Sequence, residues 1–289
     1  MNQRSALLFI LLGAMLWGTT GTAQSFAPHS AHPIAVGTVR LAVGGVTLFL
    51  FVWIKGKLQL NHVHHWPKLA IFFATVAMAA YQPLFFSGVA VTGVAVGTVV
   101  AIGSAPILTG LLEWFMYRTI PDRRWWLATL FAIMGCTLLV STDKDVTISP
   151  LGIAMSLGAG FSFSLYTISS KNVLTRISSE IVVAVVFTCA ALMLSPLLFV
   201  YDFSWLLQIN GWLVALHLGV VATALAYLLF SFGLVGAPAS TAVTLSLAEP
   251  LTASVLSIII VKETLTVQIW IGLFCMFIAL LFLSIRKKQ

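Results

Sequence analysis

Residues 244–254 read TLSLAEPLTAS, and they place one carboxylate, Glu249, and one proline, Pro250, inside an apolar run from about Ala237 to Val261. A run of roughly 25 residues is long enough to cross a ~30 Å hydrocarbon core as a helix. An ionised carboxylate half-way along such a helix is costly against lipid, so it belongs inside a bundle or beside a hydrated cavity. The fold that this stretch asks for is therefore a packed set of membrane helices.

The rest of the chain has the same character. Its 289 residues are 60% apolar and 8% charged, with a mean hydropathy of +1.05, far from the composition of a water-soluble domain. Apolar runs of spanning length recur at about 5–26, 33–54, 67–88, 92–117, 124–141, 150–170, 180–200, 210–232, 238–261 and 266–285. The reading is an all-α integral membrane protein with ten transmembrane helices and no separate soluble domain. The runs are continuous rather than alternating, which argues against a β-barrel. The first run follows Arg4 but lacks a good cleavage site at Thr22-Ala23-Gln24, so it reads as helix one rather than a signal peptide. Cys136, Cys189 and Cys275 each fall inside a span, where cysteine behaves as a small apolar residue.

Basic residues sort the spans by side. With the N-terminus in the cytoplasm, Arg4, Lys55, Lys57, Lys68, Arg118, Arg123, Arg124, Lys171, Arg176, Arg286, Lys287 and Lys288 share one face of the membrane, against only Lys144 and Lys262 on the other. Both termini are then cytoplasmic. The net charge of +7 is a topology signal of this kind, and nucleic-acid binding is excluded for want of a basic soluble face.

Two halves of the chain align. At an offset of 144 residues Pro106 meets Pro250, Trp126 meets Trp270 and Arg118 meets Lys262; at 145, Gly13-Ala14 meets Gly158-Ala159 and Thr19 meets Ser164. The copies are 1–145 (helices one to five) and 146–289 (helices six to ten). Five spans is an odd number, so the second copy enters the membrane from the opposite side, as in the inverted repeats of many secondary transporters.

The order and spacing of several apolar motifs resemble the EamA-type branch of the drug/metabolite transporter superfamily. They are AMLWGTTGTAQ with Trp17-Gly18, Arg40-Leu-Ala, GVAVGTVVAIGSAPILTGLLEW, ALAYLLFSFGL and SLAEPLTASVLSIIIVKE. The likeness covers nearly the whole chain. It implies two inverted five-helix halves around a cavity lined mainly by helices one, three, four, six, eight and nine. It also implies transport, often export, of amino acids or other small metabolites across the inner (plasma) membrane. One departure is visible: Lys262-Glu263-Thr264 closes helix nine in the family's manner, whereas the first copy has Arg118-Thr119-Ile120.

Proline inside a helix removes a donor and frees the carbonyl four residues earlier, so Pro106 and Pro250 free Ile102 and Ser246, and Pro83 makes a third such point. These are the hinge candidates. Gly93, Gly97, Ala101 and Ala105 form a small-residue ladder in helix four, and its counterpart ends at Glu249 where the first copy has Ala105. The polar and aromatic residues at mid-span depth on the cavity helices are Trp17, Tyr81, Gln82, Ser162, Ser164, Tyr166, Thr223, Tyr227 and Glu249. Together they describe a pocket for a small amphipathic solute. Arg40 and Glu249 are the intramembrane charges; Arg40 is expected to be buried in protein, serving freed carbonyls or a substrate carboxylate.

His62, His64 and His65 lie in a cytoplasmic loop without an acid or cysteine nearby, so no metal site is assigned, and no cofactor. His217 falls inside helix eight, where a hydrogen bond to a neighbouring helix is the first expectation. An intramembrane enzyme would need a nucleophile with a base or paired carboxylates, and Glu249 is alone at depth, with Glu113 near the cytoplasmic end of helix four. The chain is read as a carrier and not an enzyme; a channel or facilitator is the alternative, and a membrane scaffold ranks behind it. Its partners are a small-molecule substrate and membrane lipid, with proton coupling and a homodimer left open.

Overall fold

The computed structural model describes residues 2–57, 66–140, 149–256, 259–260 and 266–284. The described segments are helical, with short turns between them: α1 Gln3–Gln24, α2 Pro33–Ile54, α3 Lys68–Thr92, α4 Val94–Tyr117, α5 Arg123–Val140, α6 Pro150–Leu174, α7 Ser179–Leu194, α8 Ile209–Gly236, α9 Ala239–Leu245, α10 Ala248–Leu256 and α11 Val267–Ser284. Seven unbroken helical segments among the described residues are long and apolar enough to cross a membrane: α1, α2, α3, most of α4, α6, α7 extended to Phe199, and α8. The helices α5 and α11 hold 18 residues each.

Local signals set the starts. Asn2 Oδ1 accepts from Ser5 N–H at 3.1 Å to cap α1, and His32 Nδ1 accepts from Ile34 N–H at 3.3 Å ahead of Pro33. Ser149 Oγ accepts from Gly152 N–H ahead of Pro150. Proline suits these first-turn positions because its missing N–H would have no helical partner there. A single residue, Gly93 at φ 86°, turns α3 into α4, a conformation that glycine adopts without strain. Pro196 ends α7 earlier than its apolar run suggests, and the chain continues to Phe199 as a 3₁₀ turn.

Two departures from regular helix matter most. In α8, residues His217–Leu225 form a π turn that the sequence pattern did not announce. The ninth expected span is divided: α9 ends at Leu245 and α10 begins at Ala248. Pro250 has no N–H for the Ser246 carbonyl, which accepts instead from Glu249 N–H at 2.9 Å. By contrast, α3 and α4 remain helical through Pro83 and Pro106.

The core runs along the bundle axis. Large side chains such as Tyr166, Phe187, Phe230, Ile10, Leu41 and Met78 are buried there, while the outward faces carry exposed Leu, Phe, Val and Trp suited to lipid. The helices α3 and α6 pack together, as do α1 and α8; α4 lies on α6, and α10 on α1. The pairs α2–α7 and α5–α11 also pack, α2 lies against α8, and α3 against α7. Close approaches carry several of these contacts. A Cβ on Gly88 would stand 2.5 Å from Ser156 Oγ in α6, and one on Gly233 would stand 2.5 Å from the Ala6 carbonyl oxygen in α1.

Candidate functional site

Trp17 of α1 anchors the centre of the bundle. Its ring lies 4.7 Å from that of Tyr227, 5.2 Å from Phe230 and 5.8 Å from Phe163. Tyr166 reaches Tyr227 at 5.7 Å, and Tyr81 reaches Phe163 at 6.0 Å. Four of the aromatic positions singled out from sequence thus converge, on α1, α3, α6 and α8, through Phe163, a residue the sequence reading passed over. Aromatic pairs at these separations add directional packing to a large apolar surface.

The polar members divide by role. Ser164 Oγ donates to the carbonyls of Ala105 (2.9 Å) and Gly160 (2.8 Å), tying α6 to α4. Gln82 is buried on α3 and packs on α2 at Gly37, where an added Cβ would lie 3.2 Å from its Oε1. Ser162 is buried on α6. Thr223 sits in the π turn and donates to the Leu218 carbonyl at 2.7 Å. Glu249 and Tyr81 keep partial exposure, while the other candidate positions are buried.

Arg40 explains the π turn. Its side chain is buried, its Nε donates to Thr223 Oγ1 at 2.8 Å, and an Nη2 N–H donates to the Ala222 carbonyl at 3.1 Å. A π turn leaves backbone carbonyls off their usual partners, and the guanidinium serves one of them. The helices meet at backbone distance here, since a Cβ on Gly44 would stand 2.5 Å from Thr223 Cγ2 and one on Gly219 would stand 2.3 Å from Val43 Cγ1. From the other flank, Thr19 Oγ1 and His217 Nε2 lie 2.8 Å apart, so His217 bonds a neighbouring helix.

Glu249 stands at the start of α10, and Gly18 of α1 backs on to it: a Cβ there would be 2.7 Å from the Glu249 carbonyl oxygen. No ion pair joins its carboxylate to Arg40. The two charges do not touch. Among the described residues the one ion pair is Lys57–Glu180, at 2.7 Å.

A second feature lies at the end of the bundle that carries Asn2 and Tyr117. A cavity of about 970 Å³ opens there, lined by Arg4, Leu7, Glu113, Tyr117, Lys171 and Pro238 among others, and none of the mid-span candidates borders it. Glu113 is buried beside it and accepts from the N–H groups of Ala239 (3.0 Å) and Ser240 (3.1 Å), capping α9. Lys171 Nζ donates to the carbonyls of Leu234 (3.0 Å) and Ala237, closing the end of α8. An acid from α4 and a base from α6 therefore grip opposite sides of the short connection from α8 to α9.

The profile of the EamA-like transporter family matches residues 4–141 and again residues 150–285. The chain belongs to that family. It is accordingly a multi-pass cell-membrane transporter of the drug/metabolite superfamily. The uncharacterized transporter YwfM of Bacillus subtilis is 49% identical over 98% of this chain and 94% of its own length. The threonine/homoserine exporter RhtA of Escherichia coli K12 is 28% identical over 90% of this chain and 84% of its own. A solved crystal structure of another protein, 17% identical, superposes with a TM-score of 0.84 over 96% of each chain, which shows the same fold.

In this EamA-type transporter the four aromatic candidates, Trp17, Tyr81, Tyr166 and Tyr227, are linked by ring contacts, whereas Ser164 bonds α4, Gln82 packs on α2 and Ser162 is buried on α6. The grip of Glu113 and Lys171 on the α8–α9 connection was not foreseen. The signal was present: Glu113 is an acid in the last turns of a span, and Pro238 marks a helix start with backbone N–H groups to satisfy. The positions His62, His64, His65 and Lys262–Thr264 lie outside the described residues.

Proposed function

We propose that this EamA-type transporter exports a small organic metabolite of the amino-acid class by alternating access between two inverted five-helix halves, residues 1–145 and 146–289, with both termini cytoplasmic. The observation that carries the reading is the exchange symmetry of the packing. Replacing each helix of the first half by its counterpart in the second turns the α3–α6 contact into α8–α1, α4–α6 into α10–α1 and α2–α8 into α7–α3, while α2–α7 and α5–α11 map on to themselves. Such pairing is what two inverted copies around a shared axis produce, and it provides equivalent interfaces on which the halves can rock.

The buried centre supports a carrier over a channel. Trp17, Tyr166, Tyr227, Ser164 and Thr223 are closed in by their neighbours, and the cavity at one end stops short of them. Solute then passes by rearrangement, with Trp17, Tyr81, Gln82, Ser162, Ser164, Tyr166, Thr223, Tyr227 and Glu249 as the central site and the cavity at Glu113 and Lys171 as its cytoplasmic approach. The exporter name of a relative at 28% identity supports the amino-acid class.

Purified protein in liposomes tests this with radiolabelled amino acids, amines and nucleosides. The expected result is saturable flux with counterflow; flux that rises in proportion to concentration would replace the carrier by a channel. Topology is tested in a background without native cysteines: cysteines at Ser30 and Asp202 should react with an impermeant reagent outside cells, and those at Lys57, Arg123 and Arg176 should not. Reaction of both sets would defeat the inverted arrangement.

A further inference from the structure

Two opposite charges at the centre of the bundle are each left short of partners. Glu249, which keeps partial exposure, receives no hydrogen bond on its carboxylate from the described residues. Arg40 is buried, and among the described residues its acceptors are Thr223 Oγ1 and the Ala222 carbonyl, so further N–H groups of the guanidinium have none. The two groups form no ion pair within 4.0 Å. No atom of either group is among the fully buried side-chain atoms without a partner, so the spare N–H groups of Arg40 and the carboxylate of Glu249 open on space that a solute can enter.

The groups between them favour one kind. Geometry links the two groups: Arg40 bonds Thr223, one turn from Tyr227, the Tyr227 ring lies 4.7 Å from that of Trp17, and Gly18, next to Trp17, backs on to the Glu249 carbonyl. Trp17, whose ring is 4.7 Å from that of Tyr227, has its Nε1 buried without an acceptor. Phe163 and Phe230 complete an apolar wall on the same tryptophan. The other titratable group packed at this depth from α8 is His217, and it is engaged by Thr19.

We propose that Arg40 and Glu249 form a divided charge pair that binds an α-amino acid as its zwitterion, the guanidinium and Trp17 Nε1 taking the substrate carboxylate and Glu249 the substrate ammonium. The inference rests on the carrier reading above and names its recognition chemistry. A planar guanidinium fits a carboxylate by two parallel N–H···O bonds, and an ammonium held by Glu249 also meets the faces of aromatic rings. A simple amine leaves Arg40 unmatched, and a simple carboxylate leaves Glu249 unmatched. Only a solute with both groups satisfies both ends.

The test is direct binding to the purified full-length protein, read as thermal stabilisation and by isothermal calorimetry. The probes are three pools: proteinogenic L-amino acids, the amines obtained by removing their carboxyl groups, and the carboxylic acids obtained by removing their α-amino groups. The amino-acid pool should stabilise the wild-type protein and the other two should not. With the best single amino acid, Glu249→Gln should weaken binding by about thirty-fold or more and abolish its preference over the matching carboxylic acid. Arg40→Gln should abolish the preference over the matching amine, and Arg40→Lys should recover part of it. Should Arg40→Gln fail to fold, Glu249→Gln still decides, because that carboxylate holds no hydrogen bond from the described residues. Amines or carboxylic acids that bind the wild type as tightly as amino acids would overturn the proposal, as would Glu249→Gln with unchanged selectivity. Liposome flux separates the two readings: transport of amines or nucleosides without amino acids removes the zwitterion site and leaves the carrier, whereas saturable binding without any flux removes the carrier and leaves the site.

Discussion

The prolines at 106 and 250 stand 144 residues apart at matching places in the two copies, yet α4 remains helical through the first and the chain breaks at residues 246–247 before the second. The difference lies in the neighbours. In the first copy Ala105 is buried, Ser164 Oγ donates to its carbonyl, and Gly160 lets α6 approach so closely that an added Cβ would stand 2.6 Å from the Ala101 carbonyl oxygen. In the second copy the same place holds Glu249, and the backbone before it turns through Ser246, whose carbonyl is taken by Glu249 N–H. One lost donor is therefore insufficient to interrupt a membrane helix, and what differs between the copies is the packing around the proline.

Replacing the acid should have the largest effect on this contrast. Glu249→Gln keeps shape and hydrogen-bonding capacity, and transport in liposomes should fall by roughly ten-fold or more, together with any response to an imposed pH gradient. A variant that folds normally and transports at the wild-type rate with the wild-type pH profile would make the acid purely structural. Next in size is the pair of proline replacements. Pro250→Ala returns an N–H to Ser246, should join α9 to α10 and should slow transport several-fold, whereas Pro106→Ala should change the rate by less than about two-fold, since α4 is already continuous. Equal effects of the two would erase the distinction drawn here.

A third measurement compares α8 with α3, its counterpart, which carries Pro83 but no π turn. Arg40→Ala strips the donors from the Ala222 carbonyl and from Thr223, and should lower stability in detergent unfolding by about 1–3 kcal/mol, the usual cost of a buried unsatisfied polar group. Glu113→Ala uncaps α9 and should cost about 1 kcal/mol in the same assay. The smallest effect belongs to Asp202, in the turn between α7 and α8. Its carboxylate accepts from Ser204 Oγ (2.6 Å) and Ser204 N–H (2.8 Å), which hold it below the usual carboxylate range. A depressed folded-state value contributes stability above the ordinary aspartate range and loses it as pH falls through the lowered value. Asp202→Asn should flatten that weak acid-side dependence in thermal melts and change nothing at neutral pH beyond experimental scatter.

What could be read in the sequence follows from what is local or periodic. Spans show as apolar runs, and the offset that joins Pro106 to Pro250 needs only counting. Trp17, Tyr81, Tyr166 and Tyr227 could be singled out because each carries a polar atom at mid-span depth that is costly against lipid, and ring contacts link them. Arg40 was legible for the same reason. The π turn of α8 was not, because neither Gly219 nor Thr223 specifies one: it takes shape from Arg40 and Gly44 of α2 and from Thr19 of α1, contacts across more than 170 residues of chain. The same holds for the division of labour between Ser164, which ties two helices, and Glu249, which ties none. Hydropathy reports depth in the membrane; it carries no record of which side chain has already found a partner.

The grip of Glu113 and Lys171 on the connection between α8 and α9 has a mechanical consequence. Four charged hydrogen bonds hold the ends of α4, α6, α8 and α9 together at that connection. Sliding any one of those ends past the others would break these bonds, so in the proposed cycle the four ends would travel as one block. Bending is then displaced upward, to the two places where regular helix is already interrupted: the π turn at His217–Leu225 and the break at residues 246–247. The arrangement is a rigid foot beneath two compliant knees. In the proposed carrier cycle it would convert small rotations at mid-depth, beside Glu249, into a coordinated swing of the whole end of the bundle.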